Sequence, residues 1–109
     1  ESLENKLRII DPKAHVDYLL WGGVSGNSVA DLQWSKHLAD LADAGIAAVK
    51  VYMLSGMDTF RDLTMAEIRA VMADAHRLGI PVAIHAEDRS IVEQLTERAL
   101  ERGEDSPAA

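Results

Sequence analysis

Residues 47–54 form an apolar stretch, Ala-Ala-Val-Lys-Val-Tyr-Met-Leu, that carries a lysine at its centre. It lacks the alternation of apolar and polar side chains that is typical of a strand with one solvated face. The stretch therefore predicts a parallel strand in a sheet covered by helices on both faces. Burying an unpaired ammonium costs several kcal/mol. We expect Lys50 to be neutralised, paired or used chemically.

A second apolar stretch, Pro-Val-Ala-Ile at 81–84, runs directly into His-Ala-Glu-Asp at 85–88. Functional side chains of parallel α/β folds collect at the carboxyl ends of strands, because the strand-to-helix loops open there. One predicted β-helix-β crossover separates Lys50 from His85. Adjacent parallel strands would bring the two side chains together, so they form a candidate site.

Helix start and stop signals complete the pattern. A hydroxyl residue precedes an acid by three positions at Ser28, Thr64 and Ser90, which is the spacing of a capping box. Glycines at 45, 79 and 103 are placed as C-terminal caps. We predict strands near 16–21, 47–54 and 82–85, and helices near 28–44, 64–78 and 90–102. This order predicts an α/β fold with a parallel sheet. Three strands alone would leave both edges of that sheet open, so we expect residues 1–109 to be one partial domain.

Each predicted helix carries an amphipathic stripe. The stripes are Trp34, Leu38 and Leu41; Ile68, Val71, Met72 and Ala75; and Ile91, Leu95 and Leu100.

Composition excludes some partners. The net charge is -7 and no basic patch is present, which argues against nucleic acid or an anionic membrane as a partner. The chain has no cysteine, which is compatible with the cytoplasmic location that we expect. The glycine-rich turn at 22–27 could cradle a phosphate, but its spacing is not G-x-G-x-x-G. A tight turn or a substrate-facing loop is the other interpretation.

Four short sequences resemble the cyclic amidohydrolases, which include dihydroorotases, allantoinases and hydantoinases. They are Val-Lys-Val-Tyr-Met at 49–53, Ile-His-Ala-Glu-Asp at 84–88, Asp-Tyr at 17–18 and Trp-Gly-Gly at 21–23. The resemblance covers nearly the whole chain. It implies that the chain is about three units of a TIM-type (β/α)8 barrel, whose complete form usually needs roughly 250 residues.

The resemblance also implies a site. Lys50 would be carboxylated by CO2 and bridge two divalent metals, with zinc the leading candidate, and His85 would bind one of them. Glu87 would orient His85, while Asp88 either does the same or begins the following helix; we favour the helix start. Ser55 and Arg61, in the loop after the lysine strand, and Asn27 are candidate substrate-loop residues. A solvated loop is the alternative.

The implied reaction is hydrolysis of a cyclic amide C–N bond, allantoinase-like or dihydroorotase-like, in an intact enzyme expected to be a homo-oligomer. The family's His-x-His pair, its later histidine and its catalytic aspartate cannot be placed in this sequence. His15, His37 and His76 are not expected to be ligands. We therefore interpret the chain as an inactive piece of a larger enzyme. The alternative is a non-catalytic α/β interaction module without metal, in which Lys50 reaches solvent or guards a sheet edge.

Overall fold

A computed structural model describes residues 3–104 and 106, which form three parallel strands with helices between them. The strands are β1 (Trp21–Gly23), β2 (Ala48–Tyr52) and β3 (Val82–His85). The α-helices are α1 (Leu3–Ile10), α2 (Gly26–Val29), α3 (Trp34–Asp43), α4 (Met65–Leu78) and α5 (Arg89–Glu101), and short 3-10 helices lie at Asp11–Lys13 and Asp58–Phe60. The α/β class and the parallel sheet are thus confirmed.

Strand β2 lies at the centre of the sheet, paired with β1 on one side and β3 on the other. The first strand occupies Trp21–Gly23, so it overlaps the expected range of 16–21 only at Trp21. Pairing begins where Trp21 meets Ala48, the first residue of β2. Val16 and Leu19 precede that point and are 77% and 73% exposed. The position of β2 therefore decides where β1 can start.

The core lies on one face of the sheet. Val49 and Val51 are fully buried there against Leu38 of α3 and against Ile68 and Val71 of α4. The amphipathic stripes of α3 and α4 supply this layer. The expectation that helices cover both faces is wrong for the described residues, because Lys50 and Tyr52 alternate with the core valines and are only partly buried.

The third apolar stripe lies on α5, and it is not buried. Ile91, Leu95 and Leu100 are each more than half exposed, and α5 contains no buried residue. The helical pattern was therefore correct for α5, but the described residues provide no surface that covers its apolar side.

One of the three predicted capping boxes forms as predicted. Thr64 accepts a hydrogen bond from the amide of Glu67, and the Glu67 carboxylate accepts one from the amide of Thr64. The box predicted at Ser28 is wrong, because Ser25 caps α2 and Ser28 is its partner. The predicted helix near 28–44 divides into α2 and α3. The third predicted box is also wrong, because Asp88 and not Ser90 caps α5.

Candidate functional site

Lys50 and His85 lie on the same face of the sheet, opposite the core. Paired residues of parallel strands point to the same side, and the register pairs Lys50 with Ala83 and Tyr52 with His85. Both side chains are thus on adjacent strands, as predicted, but they are offset by two residues. The direct cross-strand neighbour of His85 is Tyr52.

An aromatic row fills this part of the face. The ring of Tyr52 lies 5.3 Å from the imidazole of His85 and 5.4 Å from the ring of Phe60, measured between ring centroids. The ammonium nitrogen of Lys50 lies 5.0 Å from the centre of the Tyr52 ring. This distance allows a cation–π interaction, which partly compensates the ammonium for lost hydration. Tyr52 therefore contacts both candidate ligands.

Glu87 and Asp88 follow His85 and have different roles. An oxygen of the Glu87 carboxylate lies 2.9 Å from Nε2 of His85. Asp88 caps α5 by accepting hydrogen bonds from the amides of Ser90 and Ile91. The hydroxyl and amide hydrogen bonds from Ser90 and Ile91 lower the pKa of the Asp88 carboxyl. The favoured interpretation of Asp88, as the acid that begins the helix, matches this geometry.

Ser55, Arg61 and Asn27 are brought together where the loop after β2 meets the turn after β1. The side-chain oxygen of Asn27 accepts a hydrogen bond of 2.6 Å from the Arg61 amide. The Arg61 guanidinium donates to the carbonyl of Gly26 at 2.7 Å and to Glu67 at 2.8 Å. The Ser55 hydroxyl donates to the carbonyl of Phe60 at 2.5 Å. All three candidate loop residues therefore hold the loop in place.

Asp62 and Arg89 were not identified from the sequence, and they join two loops. Arg89 donates to Oδ2 of Asp62 from Nε at 3.1 Å and from Nη2 at 2.5 Å. Oδ1 of Asp62 accepts from the amide of Ser55 at 2.7 Å. These hydrogen bonds, led by those from Arg89, lower the pKa of Asp62. The residues are 27 positions apart in the sequence, so no local pattern indicates the contact.

A cavity of about 410 Å³ lies beside this junction. It is lined by polar and charged side chains, among them Asn27, Ser55, Arg61 and Arg89. Asp58 and Asp62 offset the charge of the two arginines, so the wall has no excess of either sign. The side chains of Asn27, Ser55 and Arg61 in this wall are already hydrogen-bonded within the protein.

The fit of these residues to a metal is partial. Lys50 and His85 share a face of the sheet on adjacent strands, and His85 has a carboxylate beside its imidazole, as metal-bound histidines usually do. Within residues 3–104 and 106, no group of three or more His, Asp or Glu side chains could hold an ion. Lys50 and His85 therefore fit a metal ion only as part of a larger set of ligands.

Comparison with known proteins gives a consistent result. The allantoinase of Rubrobacter xylanophilus is 39% identical over 103 residues, which are 91% of this chain and 21% of that protein. The allantoinase of Solibacter usitatus is 38% identical over 109 residues, covering 96% of this chain and 22% of the relative. The chain is similar to one segment of the allantoinases. The resemblance to cyclic amidohydrolases is thereby confirmed.

A third allantoinase, from Deinococcus radiodurans, is 36% identical over 107 residues, which are 94% of this chain and 22% of that allantoinase. The chain thus spans about a fifth of the length of the curated allantoinases that it matches. No protein-family model matches it. Among the described residues, none of the helices has the length and apolar content needed to cross a bilayer.

Proposed function

We propose that this chain is one part of a metal-dependent hydrolase that opens the ring of a cyclic amide. The observation that carries the proposal is the similarity to allantoinases over more than nine-tenths of the chain. The placement of Lys50 and His85 on one partly buried face, at adjacent strands, supports it. Ring opening of allantoin is the favoured reaction, and ring opening of dihydroorotate is the alternative within the same class.

The fold proposed for the intact enzyme is a (β/α)8 barrel, of which this chain forms three units. In such a barrel the strands are parallel, one sheet face packs against helices and the other faces the barrel interior. The described sheet has this asymmetry, with Val49 and Val51 on the helix side and Lys50 on the other. Further units would also cover the exposed apolar side of α5 and pair the outer edges of β1 and β3.

Lys50 and His85 are the residues proposed to hold the metal. The ion pairs among the described residues do not include Lys50, so its nitrogen is not committed to a carboxylate. In its neutral form this nitrogen can bond to the carbon of CO2 and release a proton, which gives a carboxylate-like carbamate. Divalent ions such as zinc, when bound, polarise a carbonyl and lower the pKa of a bound water.

The residues of the loop have a supporting role in this proposal. The guanidinium of Arg61 and the hydroxyl of Ser55 are already hydrogen-bonded within the protein. We propose that they shape a substrate loop, with Asn27, and do not themselves bind substituents of the ring. Glu87 fixes the orientation of the His85 imidazole. A homo-oligomeric state and a cytoplasmic location stay predictions.

The test replaces Lys50 with alanine in the intact enzyme that contains this segment. Zinc content is measured by elemental analysis, the carbamate by native mass spectrometry, and ring opening of allantoin by its rate. We expect loss of bound zinc, of the mass of one CO2 and of activity. Lys36→Ala is the matched control, because Lys36 is an exposed lysine paired with Asp40 on α3. Unchanged zinc content and rate in Lys50→Ala would refute the proposal.

The second candidate function is a non-catalytic α/β interaction module. The observation that favours it is that the described residues contain no complete set of metal ligands. This alternative predicts a metal-free protein whose stability and partners are unaffected by Lys50→Ala. The same zinc and mass measurements separate the two functions.

A further inference from the structure

The loop that links His85 to α5 has few constraints. Residues 86–88 are exposed, and every residue of α5 is exposed except Ala99, which is partly buried. Side-chain hydrogen bonds from Thr96 and Arg102 stay within α5 or its ends. Burial of α5 therefore does not fix the direction in which the chain leaves β3.

Arg89 supplies a constraint from outside this segment. It is the first residue of α5, and its guanidinium donates two hydrogen bonds to one oxygen of Asp62. Asp62 is itself held, because its other oxygen accepts from the Ser55 amide at 2.7 Å. The adjacent residue Leu63 donates from its amide to the carbonyl of Tyr52 at 3.0 Å, which ties the end of the loop to β2. The start of α5 is therefore bound to the carboxylate of Asp62, whose own position is fixed by these hydrogen bonds.

The segment between these anchors carries the partner of His85. The backbone is fixed at β3, where the carbonyl of His85 accepts from the amide of Met53 at 2.8 Å. It is fixed again at Arg89, four residues later. Glu87 lies between the two points, with its carboxylate 2.9 Å from Nε2 of His85. The position of Glu87 therefore depends on both anchors.

We propose that Asp62 and Arg89 are positioning residues that hold the loop after β3 so that Glu87 stays against the His85 imidazole. The inference about geometry is independent of any reaction, and its catalytic meaning rests on the function proposed above. Charge-assisted pairing of a guanidinium with a carboxylate is directional, which suits it to setting an angle between loops.

The test is an NMR comparison of the full chain at one fixed pH. Arg89→Gln removes the charged fork, Arg89→Lys keeps the charge and Arg102→Gln is the matched control. Arg102 forms a similar exposed pair with Glu104, at 2.7 Å, at the other end of the same helix. The imidazole signals of the four histidines and the hydrogen exchange of the amides at 86–88 are recorded.

We expect Arg89→Gln to shift the imidazole signals of His85 and to leave those of His15, His37 and His76 in place. Exchange at 86–88 should rise by roughly two- to fivefold, the range that an exposed charged pair contributes to a local equilibrium. Arg89→Lys should give a smaller change. His85 signals and exchange rates equal to those of Arg102→Gln would overturn the inference.

A separate measurement distinguishes failure of this inference from failure of the proposed function. Zinc is added to the unchanged intact enzyme and to its Arg89→Gln variant, and the affinity of each protein for zinc is measured directly. Displaced His85 signals together with unchanged zinc affinity would keep the geometric role and refute its catalytic meaning. Weaker zinc binding in Arg89→Gln, with normal binding in Arg102→Gln, would support both.

Discussion

Replacing Gly26 with alanine tests the junction between the turn after β1 and the loop after β2. Gly26 is the buried first residue of α2. A Cβ atom there would lie 2.5 Å from Nη2 of Arg61 and 2.5 Å from the carbonyl oxygen of Asp62. The arginine side chain can move, but the Asp62 carbonyl is backbone. Hydrogen bonds from the Gly26 amide to the Arg61 carbonyl and from the Leu63 amide to Tyr52 hold that backbone on both sides.

The expected cost follows from three contributions. Forcing an extra methyl group into a packed site costs about 1–3 kcal/mol. The hydrogen bonds that join Gly26 and Arg61, at 2.8 Å and 2.7 Å, contribute about 1 kcal/mol each where they are lost. Alanine recovers about 0.5 to 1 kcal/mol, because it restricts the unfolded chain more than glycine does. We therefore expect the free energy of unfolding to fall by about 2 kcal/mol, which lowers the melting temperature by about 8 °C.

The assay is thermal unfolding followed by far-UV circular dichroism, with Gly23→Ala as the control. A Cβ atom at Gly23 would lie 3.2 Å from the Phe60 ring, a side chain that can shift slightly, so the melting temperature should change little. Arg61→Ala combined with Gly26→Ala should remain less stable than Arg61→Ala alone, because the Asp62 carbonyl is still in the way. Equal melting temperatures for Gly26→Ala and Gly23→Ala would refute this reasoning.

Three further changes test local features. Thr64→Ala removes the cap of α4 and should lower the free energy of unfolding by about 1 kcal/mol in a urea titration. Hydrogen bonds from Ser35 and Arg77 hold the pKa of Asp74 below its usual 3.8. The stabilisation from Asp74 is therefore present above that pH and lost as the pH falls through the lowered pKa, so Asp74→Asn should flatten the acidic limb of stability against pH. Asp88→Ala should weaken the helical circular dichroism of α5 without moving the main unfolding transition, because α5 buries no residue.

A control variant or a contradicting outcome accompanies each of these three expectations. Thr96→Ala removes an exposed hydroxyl within α5, so it should change stability by less than about 0.5 kcal/mol. If Thr64→Ala lowered the free energy of unfolding no more than Thr96→Ala does, the cap would not stabilise α4. Ser35→Ala should reproduce part of the Asp74→Asn effect. A midpoint shift in Asp88→Ala would show that α5 unfolds with the core.

Local signals predicted much of the fold. The apolar stretch at β2, the capping box at Thr64 and the glycine at 79 are features of neighbouring residues, and each is found where the sequence placed it. Gly79 closes α4 with a φ of 70°, a conformation that side chains with a Cβ rarely adopt. Such elements depend on contacts within a few residues, which is why a sequence can reveal them.

Features that depend on distant residues were missed. The start of β1 at Trp21 is set by the first residue of β2, and the pairing of Asp62 with Arg89 spans two loops. Coverage of the sheet was misjudged for the same reason, since an apolar strand gives no sign of whether one face or two will be packed. At the candidate site, the sequence indicated Lys50 and His85, but only the register reveals that His85 lies opposite Tyr52 and not opposite Lys50.

The unequal burial of the two sheet faces also explains how a central strand can carry a lysine. Val49 and Val51 are fully buried in the core, so truncating either would cost the protein stability. Lys50 lies on the opposite side, only partly buried and next to the Tyr52 ring, where its charge retains some hydration. Stability and the proposed chemistry thus lie on opposite faces of the same strand. Replacing Lys50 should therefore disturb the fold far less than replacing either valine, which is why Lys50→Ala is a usable probe of metal binding.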